Sequence, residues 1–128
     1  MAVWEGGEPH QIQLPSLETL GPVNFDGKLT SAFTAHPKVD PVTGEMLFFG
    51  YSLMQQPFLQ YGIVSSEGEL VKLIPIELPV GVMMHDFAIT EHYTIFLDFP
   101  FTFRPERMAQ GQPIFLFEEE TPSRFGIL

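Results

Sequence analysis

Residues 46–77 read MLFFGYSLMQQPFLQYGIVSSEGELVKLIPIE, and this stretch contains three apolar runs separated by two polar connections. The runs are rich in aromatic and β-branched side chains, which favour extended strands, and Gly, Pro and Ser lie between them. Similar runs recur at short intervals before and after this stretch. The predicted strands cover residues 31–35, 46–54, 58–65, 70–77, 85–90, 93–99 and 112–117.

Turn signals between these runs indicate an antiparallel meander. Tight turns are predicted over residues 40–44, 65–69 and 90–92, where Gly, Pro, Asp or Ser cluster. The chain contains 12 Pro and 11 Gly, which leave little room for long helices, and the one helix candidate is short, over residues 105–109. This pattern is typical of a sandwich, a barrel or part of a propeller.

The two ends of the chain favour the last of these folds. Residues 1–7 read like the middle of a strand, and residues 123–128 form another apolar, strand-like run. Because unpaired strand edges expose backbone polar groups, a complete domain rarely begins and ends inside its strands. We therefore expect residues 1–128 to be one partial domain of a larger β-protein, without its amino-terminal start and its carboxy-terminal part.

Composition excludes several classes of protein. The formal net charge of the 128 residues is -10, which argues against nucleic acid as a partner because phosphates require clustered Lys and Arg. No Cys is present, so thiolate metal sites and disulfides are excluded. The start of the chain has no signal-peptide pattern, and no apolar run approaches the ~20 residues that span a bilayer. We expect a cytoplasmic protein that contacts membranes only peripherally.

Two histidines, His36 and His85, lie at predicted strand ends among apolar neighbours. Imidazole is the side chain that most often holds a redox-active first-row metal, and a chain without cysteine can use only nitrogen and oxygen ligands. The alternative is that each histidine is a hydrogen-bonded core residue with no metal.

Several blocks of the sequence resemble the carotenoid cleavage oxygenases, in the order in which that family has them. This family includes carotenoid and apocarotenoid dioxygenases, lignostilbene dioxygenases and retinoid isomerases. The matching blocks are WEGG at 4–7, FDG at 25–27, TAHPKVDP at 34–41, TGE at 43–45, GYS at 50–52, MMHDFAITE at 83–91 and SRFGIL at 123–128.

The resemblance implies that the chain is an incomplete part of a seven-bladed β-propeller that holds a ferrous ion on its axis. Four histidines bind this ion in the family. The matching positions are His36 and His85, and the other two ligands belong to later parts of the family sequence. His10 and His92 match no ligand, and we expect both to be solvated surface residues.

Two further positions, Glu5 and Trp4, also receive expectations from the resemblance. Glu5 matches a glutamate that orients a metal-bound histidine, here His85; the alternative is an exposed carboxylate at a strand end. Trp4 stands where relatives that cleave hydroxylated stilbenes have a lysine for the phenolate, so we expect an apolar wall of the substrate tunnel. Asp86 follows His85 directly on a predicted strand, so its side chain should point to the opposite face, and we expect it to be structural.

The implied activity is that of a non-haem Fe(II) dioxygenase, with O2 and an apolar polyene as reactants. The reaction would cleave a conjugated C=C bond of a carotenoid or apocarotenoid into two carbonyl products. The alternatives are a lignostilbene-type dioxygenase and a non-catalytic, propeller-like binding protein. The fragment alone is expected to be inactive.

Membrane contact is a further expectation, because such substrates reside in bilayers. It is predicted through Leu53, Met54, Pro57 and Phe58, with residues 78–80 and 99–101 as neighbours. The alternative is that the rest of a larger protein covers these residues.

Overall fold

The computed structural model describes all 128 residues, and most of its regular structure is antiparallel β-strand. Its eleven strands are β1 (His10–Ile12), β2 (Thr19–Pro22), β3 (Lys38–Val39), β4 (Met46–Tyr51), β5 (Leu59–Val64), β6 (Leu70–Ile76), β7 (Phe87–Ile89), β8 (Thr94–Asp98), β9 (Phe101–Phe103), β10 (Phe115–Phe117) and β11 (Arg124–Ile127). The predicted all-β class and antiparallel meander are thus confirmed.

The first sheet is a four-stranded meander in the order β3-β4-β5-β6. The β3–β4 turn forms because the carboxylate of Asp40 accepts hydrogen bonds from the backbone N–H groups of Val42 and Thr43. The β5–β6 turn is closed by a bond from the N–H of Gly68, which has a φ of 89°, to the carbonyl of Ser65. Both turns lie where the sequence predicts them.

The second sheet has the order β11-β8-β7, so its first strand along the chain, β7, lies at an edge. Thr90 closes the β7–β8 hairpin, since its Oγ1 accepts a hydrogen bond of 3.0 Å from the N–H of Tyr93. β9 and β10 form a separate hairpin, and β1 pairs with β2. β3, the first strand of the first sheet, is likewise an edge strand.

Phe48 and Phe49 are adjacent in β4 and point to opposite faces of the first sheet, because side chains alternate between the two faces along a strand. Both are fully buried. Phe48 stacks on Phe33 with ring centroids 4.1 Å apart, whereas Phe49 meets Phe87 of the second sheet edge to face at 5.3 Å. The larger core therefore joins the two sheets; its buried members are Phe49, Leu59, Tyr61, Val82, Met84, Phe87 and Phe96.

The predicted strand over residues 31–35 is wrong. This segment runs beside β4 with a backbone hydrogen bond of 2.8 Å from Thr34 to Phe49, but it forms no ladder. Its carbonyl at Ala32 comes so close to Gly50 that a Cβ there would lie 1.9 Å from the oxygen. This close approach of two backbones lets the segment cover the sheet without extending it.

Several predicted strands are longer than the observed ones. β4 ends at Tyr51, because Ser52 Oγ accepts hydrogen bonds from the N–H groups of Met54 and Gln55 and turns the chain. β7 begins at Phe87 instead of residue 85, since the carboxylate of Asp86 takes the Phe87 N–H at 2.8 Å. Local side-chain acceptors thus compete with the strand ladder.

The sequence analysis did not predict β1, β2 or β3, and the region after residue 98 also differs from its expectation. β9 was not predicted as a strand, although it pairs with β10, and β10 begins at Phe115 instead of residue 112. Residues 1–7 contain only an isolated bridge from Ala2 to His10, so the strand expected there is wrong. The strand-like run at 123–128 is confirmed by β11.

The helix predicted over residues 105–109 is confirmed as a short 3₁₀ helix, Pro105–Gln110. Proline stands in its first turn, where its missing N–H costs nothing, and Gly111 ends it with a φ of 67°. No helix of this structure has the length and apolar character that crossing a membrane requires.

Candidate metal centre

The two predicted histidine ligands occupy equivalent places in the two sheets. His36 lies two residues before β3, and His85 lies two residues before β7. Each therefore leads into the first, edge strand of its sheet. The backbone N–H of His36 is held by the buried side chain of Thr34, at 3.0 Å from Oγ1. The fold thus delivers one imidazole from each sheet to a common place.

The two imidazoles meet through their Nε2 atoms, which are 3.1 Å apart. The ring planes are inclined at 70° and the ring centroids are 4.6 Å apart. Two nitrogen ligands at a right angle around a metal, each at ~2.1 Å, would be roughly 3 Å apart. The spacing therefore suits adjacent positions of one metal ion. The same distance also suits a hydrogen bond between the two rings, in which one Nε2 donates a proton to the lone pair of the other.

Glu5 determines which nitrogen of His85 is free. Its carboxylate oxygen Oε1 is buried and lies against Nδ1 of His85, as predicted from the resemblance. A proton placed on Nδ1 would be shared with this carboxylate and would leave the lone pair of Nε2 facing His36. The alternative of an exposed carboxylate is wrong, because only 18% of the Glu5 side chain is accessible.

Tyr51, which the sequence analysis did not single out, extends this contact. Its hydroxyl donates a hydrogen bond of 3.4 Å to the second oxygen of Glu5. Burial raises the pKa of Tyr51, and the negative charge of Glu5 raises it further. The phenol thus keeps its proton and remains a donor to Glu5.

A second contact between the two histidine segments was also missed. Lys38 Nζ lies 2.7 Å from Oδ1 of Asp86 and 5.6 Å from the ring centroid of Phe87. Burial raises the pKa of Asp86, but hydrogen bonds from the Lys38 ammonium and the Phe87 N–H outweigh this and lower it. Asp86 therefore holds both Lys38 and the Phe87 N–H, and the expectation that it is structural stays a prediction. Lys38 and Phe87 each follow a histidine by two positions, and this equal spacing is the sequence signal that could have revealed their contact.

Glu5, His36 and His85 each offer one atom that could bind a cation, and these three atoms lie within 4.8 Å of one another. Because Glu5 lies against Nδ1 of His85, the donors that face each other are the two Nε2 atoms, and imidazole nitrogen fits a ferrous ion. His10 and His92 lie outside this cluster: His10 is half-buried with Nδ1 3.2 Å from the carbonyl of Glu8, and His92 is exposed.

Trp4 precedes Glu5 but does not belong to the cluster. Its side chain is 57% exposed, and its ring covers Gly6 and Gly7 so closely that a Cβ on Gly6 would lie 2.3 Å from Cζ3. The two glycines therefore fix the ring beside the site. Its predicted place in a substrate tunnel wall stays a prediction.

Comparison with known proteins gives a consistent result along the whole chain. The family model described as "Retinal pigment epithelial membrane protein" matches residues 1–128. The chain is 46% identical over 132 residues to carotenoid 9,10(9',10')-cleavage dioxygenase 1 of Arabidopsis thaliana. The match covers 100% of this chain and 24% of that relative. The chain therefore spans about a quarter of the length of that curated relative.

Two solved structures share the fold. The lignostilbene dioxygenase of Pseudomonas brassicacearum matches 98% of this chain and 27% of its own, with a TM-score of 0.85 and 41% identity. The cobalt-substituted apocarotenoid oxygenase of Synechocystis matches 99% of this chain and 29% of its own, with a TM-score of 0.77 and 27% identity. The expected incomplete β-propeller of this family is confirmed. The chain belongs to the retinal pigment epithelial membrane protein family, that of the carotenoid cleavage oxygenases.

Proposed function

We propose that this chain is part of an Fe(II)-dependent oxygenase that cleaves a conjugated C=C bond of a carotenoid or apocarotenoid with O2. The products would be two carbonyl compounds. The observation that carries the proposal is the convergence of His36 and His85, 3.1 Å apart at Nε2, with Glu5 behind His85. Kinship with a plant carotenoid cleavage dioxygenase supports the same reaction class.

In this proposal, His36 and His85 supply two neutral nitrogen ligands from two different sheets. Glu5 keeps the proton of His85 on Nδ1, so that Nε2 is available for a cation, and Tyr51 holds the second oxygen of Glu5. A bound ferrous ion would supply electrons and an open position for O2, which C=C scission requires. The core between the sheets keeps the two ligands in place before any cation arrives.

A lignostilbene-type substrate is the second candidate, favoured by the 41% identity to the Pseudomonas brassicacearum enzyme. Against it stands Trp4, whose indole cannot neutralise a phenolate but offers an apolar surface. We therefore propose a polyene as the preferred substrate. A non-catalytic binding protein is the remaining alternative.

The test of this proposal incubates the complete protein that contains this chain, loaded with Fe(II), with an apocarotenoid or with a hydroxystilbene under O2. We expect aldehyde or ketone products from the apocarotenoid. Their formation should stop when iron is removed and resume when iron is returned. Faster cleavage of the hydroxystilbene would transfer the assignment to the second candidate. Cleavage of neither by the iron-loaded protein would favour a binding protein.

Membrane contact is a further part of the proposal. The loop between β4 and β5 carries Met54, with 70% of its side chain exposed, an exposed Pro57 and the half-buried Leu53 and Phe58. The backbone of Leu53 lies directly against Gly81, so residues 78–80 are close to this loop. Neighbouring apolar loops of this kind support docking of a cytoplasmic protein at a bilayer from which it takes an apolar substrate.

A further inference from the structure

Two parallel contacts join the segments that carry the histidines. His36 reaches His85, and two residues further along, Lys38 reaches Asp86 and Phe87. The earlier residue of one segment contacts the earlier residue of the other, and the later contacts the later, so the two segments run in the same direction. Side chains at positions i and i+2 of an extended segment share a face, which explains why His36 and Lys38 both cross to the second sheet.

The ion pair has little to contribute to folding stability. The side chains of Lys38 and Asp86 are 30% and 44% exposed, and ion pairs with such exposure are weak and screened by salt. Its geometry is nevertheless well defined. Asp86 also accepts the N–H of Phe87 at 2.8 Å, and Lys38 lies over the Phe87 ring, so the ammonium is fixed from two sides.

We propose that Lys38 and Asp86 are positioning residues that hold the His36 and His85 imidazoles at the spacing that one metal ion requires. Neither residue would touch the cation; Lys38 acts through His36, two positions before it, and Asp86 acts through the adjacent His85. The segments before β3 and β7 belong to different sheets, and no strand ladder joins them. The Lys38–Asp86 contact therefore adds a restraint one or two residues from each imidazole to the packing between the two sheets. This inference rests on the proposed metal site.

Simple electrostatics and positioning predict opposite results for one substitution. Lys38→Met keeps the aliphatic stem but removes a positive charge near the site, which by Coulomb attraction alone would tighten the binding of a cation. Loss of positioning would instead weaken it. The experiment titrates the metal-free complete protein with Co(II), using the visible absorption of the ion to report both affinity and coordination geometry.

We expect Lys38→Met to weaken Co(II) binding about tenfold, as loss of outer contacts to metal ligands commonly does. The absorption spectrum should change, and the thermal unfolding midpoint of the metal-free protein should not. Lys38→Arg, which keeps the charge and the reach, should restore affinity to within about twofold. Asp86→Asn should weaken binding similarly, and the double variant should be no weaker than Lys38→Met alone, because both changes break the same contact.

The matched control is Arg124→Met, which breaks an ion pair of 2.7 Å between Arg124 and Asp98 within the second sheet. It should leave Co(II) affinity unchanged. Unchanged or tighter binding by Lys38→Met would overturn the inference, and so would additive losses in the double variant. If Lys38→Met does not fold, unchanged Co(II) binding by Asp86→Asn would overturn the inference instead. His36→Ala separates the two proposals, since retained Co(II) binding there would refute the metal site itself.

Discussion

Thr94 in β8 donates a hydrogen bond of 3.0 Å from Oγ1 to the phenol oxygen of Tyr61 in β5, and both side chains are buried. This is a polar contact inside the core that joins the two sheets. Burial raises the pKa of Tyr61, so the phenol stays neutral at physiological pH. The contact therefore links the sheets that carry the two histidines without burying a charge.

Replacing Tyr61 with Phe tests this link. The change leaves the hydroxyl of Thr94 without its buried acceptor, and we expect a loss of about 1 kcal/mol in the free energy of unfolding. Thermal unfolding of the complete protein measures it. Tyr93→Phe is the control, because Tyr93 is 58% exposed. Equal midpoints for the two variants would contradict the role given to this bond.

Replacing Glu5 with Gln tests the orientation of His85. The amide has no negative charge to share the proton on Nδ1, so His85 becomes a poorer ligand. We expect iron affinity to fall about tenfold or more. Competition with a chelator of known affinity measures the change under anaerobic conditions. Glu8→Gln, at an exposed position nearby in the sequence, should behave like the unchanged protein.

The carboxylate of Glu118 should make the β9–β10 hairpin sensitive to acid. A hydrogen bond from Arg104 at 2.7 Å, supported by Thr102, lowers the pKa of Glu118 from 4.5 to about 2. Because the folded pKa is the lower one, the stabilisation is present above pH 4.5 and is lost as the pH falls toward 2.

Glu118→Gln should therefore be less stable than the unchanged protein at pH 6, and the difference should shrink between pH 4.5 and 2. Unfolding midpoints measured as a function of pH test this. Glu119→Gln is the matched control, because Glu119 is exposed next to it. A stability difference that is independent of pH would show that the pKa of Glu118 is not lowered.

Met54→Ser tests the proposed membrane contact. Burying a methionine side chain is worth about 1.5 kcal/mol, so we expect roughly tenfold weaker binding to phosphatidylcholine vesicles. Sedimentation with vesicles measures the bound fraction. Val42→Ser is the control: Val42 is 90% exposed, but it lies in the β3–β4 turn. Equal binding by the two variants would place the contact elsewhere.

In the first sheet, β4, β5 and β6 could be predicted from the sequence because aromatic and β-branched runs alternate there with strong turn signals, whereas the two-residue β3 was not predicted. Strand ends could not be predicted. Asp86 takes a backbone donor that the extended pattern assigns to a strand, and Ser52 does the same after β4. The segment over residues 31–35 has a strand-like composition, but it covers β4 instead of pairing with it. These outcomes depend on side-chain acceptors and tertiary packing that periodicity does not encode.

For the candidate site, the resemblance located His36, His85 and Glu5, which the structure brings together. Tyr51 and Lys38 were missed because their partners lie 46 and 48 positions away in the chain, so no local pattern connects them. The assignment of the histidines as metal ligands stays a prediction.

The most direct test of the central claim measures the iron content of the complete protein with His36→Ala, His85→Ala or His92→Ala after identical loading with Fe(II). His92 is an exposed histidine outside the cluster, so its variant controls for loss of an imidazole as such. We predict about one iron per protein for His92→Ala and strongly reduced iron for the other two. Full iron occupancy in both His36→Ala and His85→Ala would contradict the account.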